Sequence, residues 1–583
     1  MMTPEELRQT ILSVTQANGG HLASSLGAVE IALALRETFD PEKDRIVWDV
    51  GHQAYAWKLL TDRGGKDFST LRRFGGVAPF PTPAESAADA AVAGHAGVAL
   101  SVAAGLAAAR DRKGTDESVV AVVGDAAIVN GTSFEALNNL ATATKKVILV
   151  LNDNDMSISR PTGSIARLLG RVITNVRYNR VKAAAEKAGH RLKLGFLSGP
   201  YHRFESRVKS WFVGNVCFEQ FGLRYIGPID GHDLAKLRAA FAVAKEDKRS
   251  VVVHVVTRKG KGYGPAEKDP TAYHGISPKE TEVEGRTWSD CFGALIGDAA
   301  RSDGRIVALT AGMKDGTGLA RFAAEHPDRF FDVGIAEGHL VAFAAGLAAG
   351  GLRPVVAIYS TFLQRAIDQV MHDVCIANLP VVFCVDRAGV VGADGVTHQG
   401  LYDLAMLRCL PNLTICQPKD EADFKALLDE ALRRNGPTVI RYPRGRIRRI
   451  VESSNCRINR TIEQSTNRQF SNVYSLWATG DQLEKAYAVA ARIGGAEVVP
   501  ARYLKPFDAE LLAAQRAKGL KIVSLENGAV AGGFGEAIGA DIRFGWPDEF
   551  IPHGSVDELE RRYGLDVDSI VAKIQTSQPP QTP

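Results

Sequence analysis

Cysteine is scarce in this chain of 583 residues: there are seven, an odd total, scattered and without a C-x-x-C pair. That spacing argues against a disulfide framework and leaves reduced, structural thiols of a cytosolic protein as the expectation. Long apolar runs are missing too. The most apolar stretch, Gly97 to Ala109, is rich in Ala and Gly and falls well short of the ~20 residues that cross a bilayer. The start, MMTPEELRQTILS, has the pattern of an amphipathic helix and no signal-peptide core, so no secretion and no membrane attachment are expected. Charge of one sign is also lacking: the net charge is only +4, which argues against a general nucleic-acid surface, and any anion site must be local.

What is present is ordinary globular composition, 45% hydrophobic and 23% charged, in a chain too long for one core. Short β-branched runs alternate with Ala- and Leu-rich segments of helical period: SVVAVVGD, KVILVLND, SVVVHVVT, RPVVAIYS, LPVVFCVD and LKIVSLEN. This predicts an α/β fold of three domains, each a mostly parallel sheet flanked by helices. Pro-rich and polar stretches place the domains at 1–280, 281–450 and 473–574, with a linker at 451–472 and a disordered tail at 575–583. The hexamer AAGLAA occurs at Ala103–Ala108 and again at Ala344–Ala349, compatible with two related sheets.

The run VILVLNDNDM has the apolar body of a buried strand and an end crowded with Asn152, Asp153, Asn154 and Asp155. The interval from Asp125 accommodates one helix, about Thr132 to Ala143, capped by Asn130 or Thr132. That makes a βαβ unit, whose right-handed crossover brings both polar ends to one carboxyl edge, where open α/β sheets bind ligands. Carboxylate, amide and carbonyl oxygens suit Mg²⁺ completed by phosphate oxygens and water. On spacing alone the alternative stays open that these residues only end strands and cap turns.

GDAAIVNGTSFEALNN…VLNDNDMSIS resembles the thiamine diphosphate motif of the 1-deoxy-D-xylulose-5-phosphate synthase branch of the transketolase superfamily. GGHLASSLG, WDVGHQAYAWK, YIGPIDGHD, GYGPAEKDPTAYHG, DVGIAEGHLVAFAAGLA, YSTFLQRAIDQVMHDV, DRAGVVGADGVTHQG and RYPRG follow the family order. The resemblance implies thiamine diphosphate and Mg²⁺ as cofactors, with Asp125, Asn154 and the Met156 carbonyl on the metal. Gly124, Ala126, Ala127, His52, His95 and Phe362 would line the cofactor, Phe362 by stacking on its pyrimidine. Glu337 would hydrogen-bond the aminopyrimidine and favour the imino form that exposes the nucleophilic thiazolium carbon; without the other motifs, the preferred reading is that it caps a helix running from about Gly338. His21, His52, His274 and His398 would move protons, since imidazoles titrate near neutrality.

Tyr359, Arg387, Asp394, His398 and Arg444 would hold substrate, the two arginines gripping a phosphate through paired, charge-assisted hydrogen bonds. Arg448 and Arg449 read as solvated linker charge. The implied reaction decarboxylates pyruvate and joins the remaining two carbons to glyceraldehyde 3-phosphate, giving 1-deoxy-D-xylulose 5-phosphate and CO₂. It would feed isoprenoid, thiamine and pyridoxal synthesis from a cytoplasmic homodimer, with the cofactor between the first two domains of one subunit. A related enzyme with another donor or acceptor, and a non-catalytic paralogue, remain as alternatives.

Departures from the family pattern motivate them. Ala126 replaces a glycine, with strain expected if that residue needs positive φ. Gly338 replaces a glutamine, Ile367 a tyrosine, Pro83 a basic residue, and Ala96 and Gly97 serines. The chain also begins after most of the family's N-terminal helical segment.

Overall fold

The structure, a computed structural model, describes residues 2–154, 218–278, 285–447, 473–494 and 496–577. Contacts divide the chain into two compact units, Met1–Leu71 with Gly76–Glu280, and Arg72–Gly75 with Thr281–Pro583.

The first unit is built on a five-stranded parallel sheet: β1 (Arg45–Trp48), β2 (Val119–Gly124), β3 (Ile148–Asp153), β4 (Arg224–Asp230) and β5 (Val251–Val256), in the order β1-β2-β3-β5-β4. The central strands are buried on both faces, as their unbroken β-branched runs require. The helix between β2 and β3 runs Gly131–Ala143, and Asn130 caps it by accepting the Thr132 N–H at 3.0 Å. The preceding helix, Ala99–Lys113, carries the first AAGLAA and ends at Gly114 in the left-handed region.

The second unit holds two sheets. Seven strands, β6 (Ile306–Thr310), β7 (Phe330–Asp332), β8 (Arg353–Tyr359), β9 (Val382–Asp386), β10 (Thr414–Cys416), β11 (Thr438–Arg441) and β14 (Tyr503–Lys505), lie in the order β14-β10-β11-β9-β8-β6-β7. All pairs are parallel except β10 with β14. The other sheet, β12 (Tyr474–Thr479), β13 (Ala496–Ala501), β15 (Lys521–Ala529) and β16 (Ile542–Trp546), is parallel in the order β13-β12-β15-β16.

The three mostly parallel, helix-covered sheets are the expected fold class. The expected linker lies wholly outside the described residues. The helix Val567–Thr576, capped by Asp566, takes in the first two residues of the expected tail, 575–583, of which 578–583 lie outside the described residues. Among the described residues no helix is long and apolar enough to cross a membrane. Cys291, Cys375, Cys384, Cys409 and Cys416 are free thiols.

Candidate active site

Parallel pairing sets Gly124 of β2 against Asn152 of β3, so both polar strand ends do reach one carboxyl edge. The crowded polar residues there have different partners. Asn152 donates to Gln53 Oε1 at 2.7 Å and accepts from Thr257 Oγ1 at 2.6 Å. Asp153 pairs with His254 Nε2 at 3.0 Å, and His254 Nδ1 meets the Tyr225 hydroxyl at 2.6 Å. An ionised Asp153 makes Nε2 the protonated nitrogen, leaving Nδ1 to accept from the phenol.

Asn154 is different. Its N–H supports the Asp125 carboxylate, while its side-chain Oδ1 is buried with no hydrogen-bond partner. Burial, reinforced by the charge of Asp153, pushes the Asp125 carboxyl up to about 7, against the Ala126 and Asn154 N–H groups and Lys259. Lys259 is itself buried and lowered to about 8, again by burial, with Asp125 opposing. A buried carboxylate beside an orphaned amide oxygen is an arrangement that a hard cation completes, and the residues present fit Mg²⁺ and a phosphate. Met156, expected as the third ligand, lies outside the described residues. No group of three His, Cys, Asp or Glu suited to a metal occurs among the described residues, consistent with a donor set that mixes carboxylate, amide and carbonyl oxygens.

The expected strain at Ala126 is not found. The residue lies in the short helix Asp125–Ile128 and has no positive φ, because the chain turns directly into a helix after Gly124. Ala127 is buried in the same turn.

In the first unit His21, His52 and His274 gather, with ring centroids 6.1 Å apart for His21–His52, 5.7 Å for His21–His274 and 5.4 Å for His52–His274. Phe80 covers His21 at 5.5 Å. Burial drives both His52 and His274 well below the ordinary imidazole value, and neighbouring positive groups add to it. They are neutral at pH 7. His95 is half-buried on the loop that leads into Gly97. Gly97 has φ +85°, and its N–H donates to both oxygens of Asp49, at 2.8 and 3.0 Å.

The second unit holds the other expected residues. Glu337 opens the helix Glu337–Ala349 and is 4% exposed; its side chain makes no capping hydrogen bond. Burial raises its carboxyl, opposed by the Arg365 guanidinium, whose Nε lies 3.6 Å from Oε2. A capping role therefore does not account for this buried acid. The side chain of Gln369 occupies the space a Cβ at Gly338 would enter, its Oε1 only 3.2 Å from that position.

At the end of β8, Phe362 stacks on Tyr359 at 5.8 Å and meets His398 edge-on at 5.7 Å. The Arg387 guanidinium lies over the Tyr359 ring at 3.9 Å, and Arg387 is held at φ +57°. Asp394 stands between two arginines, 2.7 Å from Arg72 and 3.3 Å from Arg444. Burial and the charge of Arg387 lower the Arg444 guanidinium. Two like charges beside one aspartate, Arg72 buried and the Arg444 side chain 38% exposed, are suited to a dianion.

The expected residues thus form two groups, one in each unit. Arg72, Lys259 and Arg365 were missed by sequence reading. Lys259 had a signal, its place in the glycine-flanked RKGKG directly after β5; Arg72 and Arg365 had none, because what distinguishes them is a partner distant in sequence. Arg448 and Arg449 lie outside the described residues.

The sequence profile described as 1-deoxy-D-xylulose-5-phosphate synthase matches residues 2–257, transketolase pyrimidine-binding matches 284–449, and transketolase C-terminal matches 471–570. A 1-deoxy-D-xylulose-5-phosphate synthase 1 of Geobacter metallireducens is 44% identical, over 98% of this chain and 95% of its own length. The chain belongs to the 1-deoxy-D-xylulose-5-phosphate synthase family. A synthase of Natranaerobius thermophilus is 42% identical over 98% of this chain and 94% of its own. Synthases of this family use thiamine diphosphate with Mg²⁺ and act on pyruvate and glyceraldehyde 3-phosphate, typically as homodimers.

Proposed function

We propose that the chain carries out the synthase reaction, a transfer of a two-carbon unit from pyruvate to glyceraldehyde 3-phosphate with loss of CO₂, through the two groups of residues described. The full-length identity to curated synthases supports the activity, and the orphaned Asn154 oxygen beside buried Asp125 is the observation that carries the cofactor site.

In this reading residues 1–280 bind diphosphate and metal, 281–450 the pyrimidine, and 473–574 form the transketolase C-terminal domain. Asp125, Asn154 and the Met156 carbonyl hold Mg²⁺; Lys259 adds positive charge for a phosphate. When bound, thiamine diphosphate supplies the carbanion chemistry that carries the two-carbon unit. Glu337 holds the aminopyrimidine nitrogen and decides where that proton resides. Phe362 presents an aromatic face to the ring.

His52 and His274, neutral at working pH, serve with His21 and His398 as hydrogen-bond and proton-transfer partners rather than as fixed cations. His52 and His95, with Gly124, Ala126 and Ala127, line the cofactor. Arg387 and Arg444 grip the acceptor's phosphate, while Asp394, His398 and Tyr359 orient its hydroxyls. Scattered free thiols favour a cytoplasmic location.

The test supplies purified protein with thiamine diphosphate, Mg²⁺ and pyruvate, with and without glyceraldehyde 3-phosphate, and measures CO₂ release and the sugar formed. Rapid turnover of another aldehyde in its place would overturn the assignment. Glu337→Ala should reduce turnover by at least about 10²-fold with its circular dichroism unchanged; a parental rate would remove Glu337 from the mechanism.

A further inference from the structure

The 3₁₀ turn Gln364–Ala366 follows the short helix Ser360–Leu363 at the end of β8. It brings Arg365 beside the first residue of the helix Glu337–Ala349. The Arg365–Glu337 separation, 3.6 Å, is long for a hydrogen bond and short for a charge interaction inside protein. The acid is almost wholly covered and the arginine partly so, at 5% and 16% side-chain exposure.

Among the described residues, the other elements packed against this helix bring no competing charge to the carboxylate. Asp368 is exposed and accepts from Gln369. His372 and Asp373 pair with each other, the histidine open to solvent. Strands β6 and β8 place no acid or base at this point except Tyr359, which meets Arg387. Among the described residues, Arg365 is the charged group that acts on Glu337, where it opposes burial.

We propose that Arg365 is a positioning residue: it keeps Glu337 as an oriented carboxylate, so that the proton shared with the cofactor's aminopyrimidine is taken up on binding and resides on the ring nitrogen. This rests on the assignment of Glu337 to the aminopyrimidine. The proton inventory follows directly. An ionised Glu337 facing a neutral ring needs one proton from solvent to make the shared bond; a Glu337 already protonated by burial needs none. Removing the arginine's charge shifts the free protein toward the second condition, and cofactor binding then takes up fewer protons.

Calorimetric titration of the full chain with thiamine diphosphate and Mg²⁺, at about pH 7.5 in two buffers of different ionisation enthalpy, counts those protons without turnover. Arg365→Met should lower the parental uptake by about half a proton or more, and Arg365→Lys should hold it near the parental value. Arg365→Gln serves the same comparison if the methionine variant does not fold. Loss of binding in Arg365→Met with binding and proton count retained in Arg365→Lys also supports the proposal. Equal counts in the parent and Arg365→Met overturn it, as does an equal loss in the methionine and lysine variants. Glu337→Gln separates the two failures. If it takes up as many protons as the parent, the assignment of Glu337 itself falls; if it loses the uptake while Arg365→Met does not, only the role of Arg365 falls.

Discussion

At the scale of single residues, burial decides the chemistry. Asp125 gives up solvent with Lys259 as its one nearby cation among the described residues, and its carboxyl rises to about 7. A bound metal changes that balance, because a divalent ion favours the charged form. Asp125→Asn should therefore leave the ligand-free chain at least as stable as the parent, since it removes a buried charge. It should also abolish the rise in melting temperature that Mg²⁺ with thiamine diphosphate produces. Differential scanning fluorimetry with and without Mg²⁺ is sufficient, and a full Mg²⁺-dependent rise in the variant would show that the metal is held elsewhere. Glu526 offers a test of burial away from this site. It accepts from the Phe534 and Gly535 N–H groups at 2.6 and 2.8 Å, yet burial still raises it to about 7 from the ordinary 4.5. A folded value above the unfolded one means that the folded chain holds a proton the unfolded chain has released. Its stabilising contribution is complete below pH 4.5 and is lost as pH rises toward about 7. At ~1.4 kcal/mol per pH unit the loss reaches about 3 kcal/mol as an upper bound. Glu526→Gln should flatten the fall of melting temperature between about pH 5 and about pH 8; an unchanged slope would mean that Glu526 does not titrate with folding.

At the scale of elements, the loop before the helix Ala99–Lys113 shows why a family substitution need not be transferable. Gly97 read in the sequence as a departure from a family serine, but here its φ is +85° and a Cβ would come within 2.5 Å of Asn130 Oδ1. That oxygen caps the helix Gly131–Ala143, which leads from the carboxyl end of β2 to the start of β3. Gly97→Ser should cost about 2 kcal/mol, roughly half from the left-handed backbone and half from the displaced cap. Urea denaturation of Gly97→Ser, Asn130→Ala and the pair should show strong non-additivity; additive costs would mean that the two positions do not touch. Elements of this kind were readable where their cause is local. The β-branched runs announced the strands, and the pair Asn130 and Thr132 announced a helix that Asn130 caps, because burial on both faces and a capping side chain act within a few residues. Asp153 was not separable from Asn154 by the same reading. The first is occupied by His254, 101 residues away, and the second has a free oxygen; nothing in the string NDND tells which of them a distant histidine reaches. Gly97 was likewise legible only as a departure, since what excludes a side chain there is an amide across the fold.

At the scale of the whole molecule, the seven-stranded sheet and the four-stranded sheet of the second unit are joined by a shared apolar cluster and by hydrogen bonds, and two further links stand out. β14, which follows β13 after one residue, leaves the smaller sheet and pairs antiparallel with β10. Arg441, 1% exposed at the end of β11, binds Asp403 through two nitrogens at 2.9 and 3.0 Å and Gln417 at 2.6 Å. It also donates to the carbonyl of Asn527 on β15 at 3.1 Å. A guanidinium shared between sheets makes their unfolding one event, because neither sheet can open without exposing or stranding this charge. Arg441→Met should cost about 3–5 kcal/mol, since Asp403 is left buried without its cation. Adding Asp403→Leu should recover part of that loss, because the stranded acid, and not the missing arginine, dominates the penalty. Hydrogen exchange followed by mass spectrometry locates the event. Peptides from β9 and β12 should lose protection at the same denaturant concentration in the parent and, at a lower one, together again in Arg441→Met. If β12 opened first in the parent, the two sheets would be separate cooperative units and Arg441 a local contact with no part in joining them.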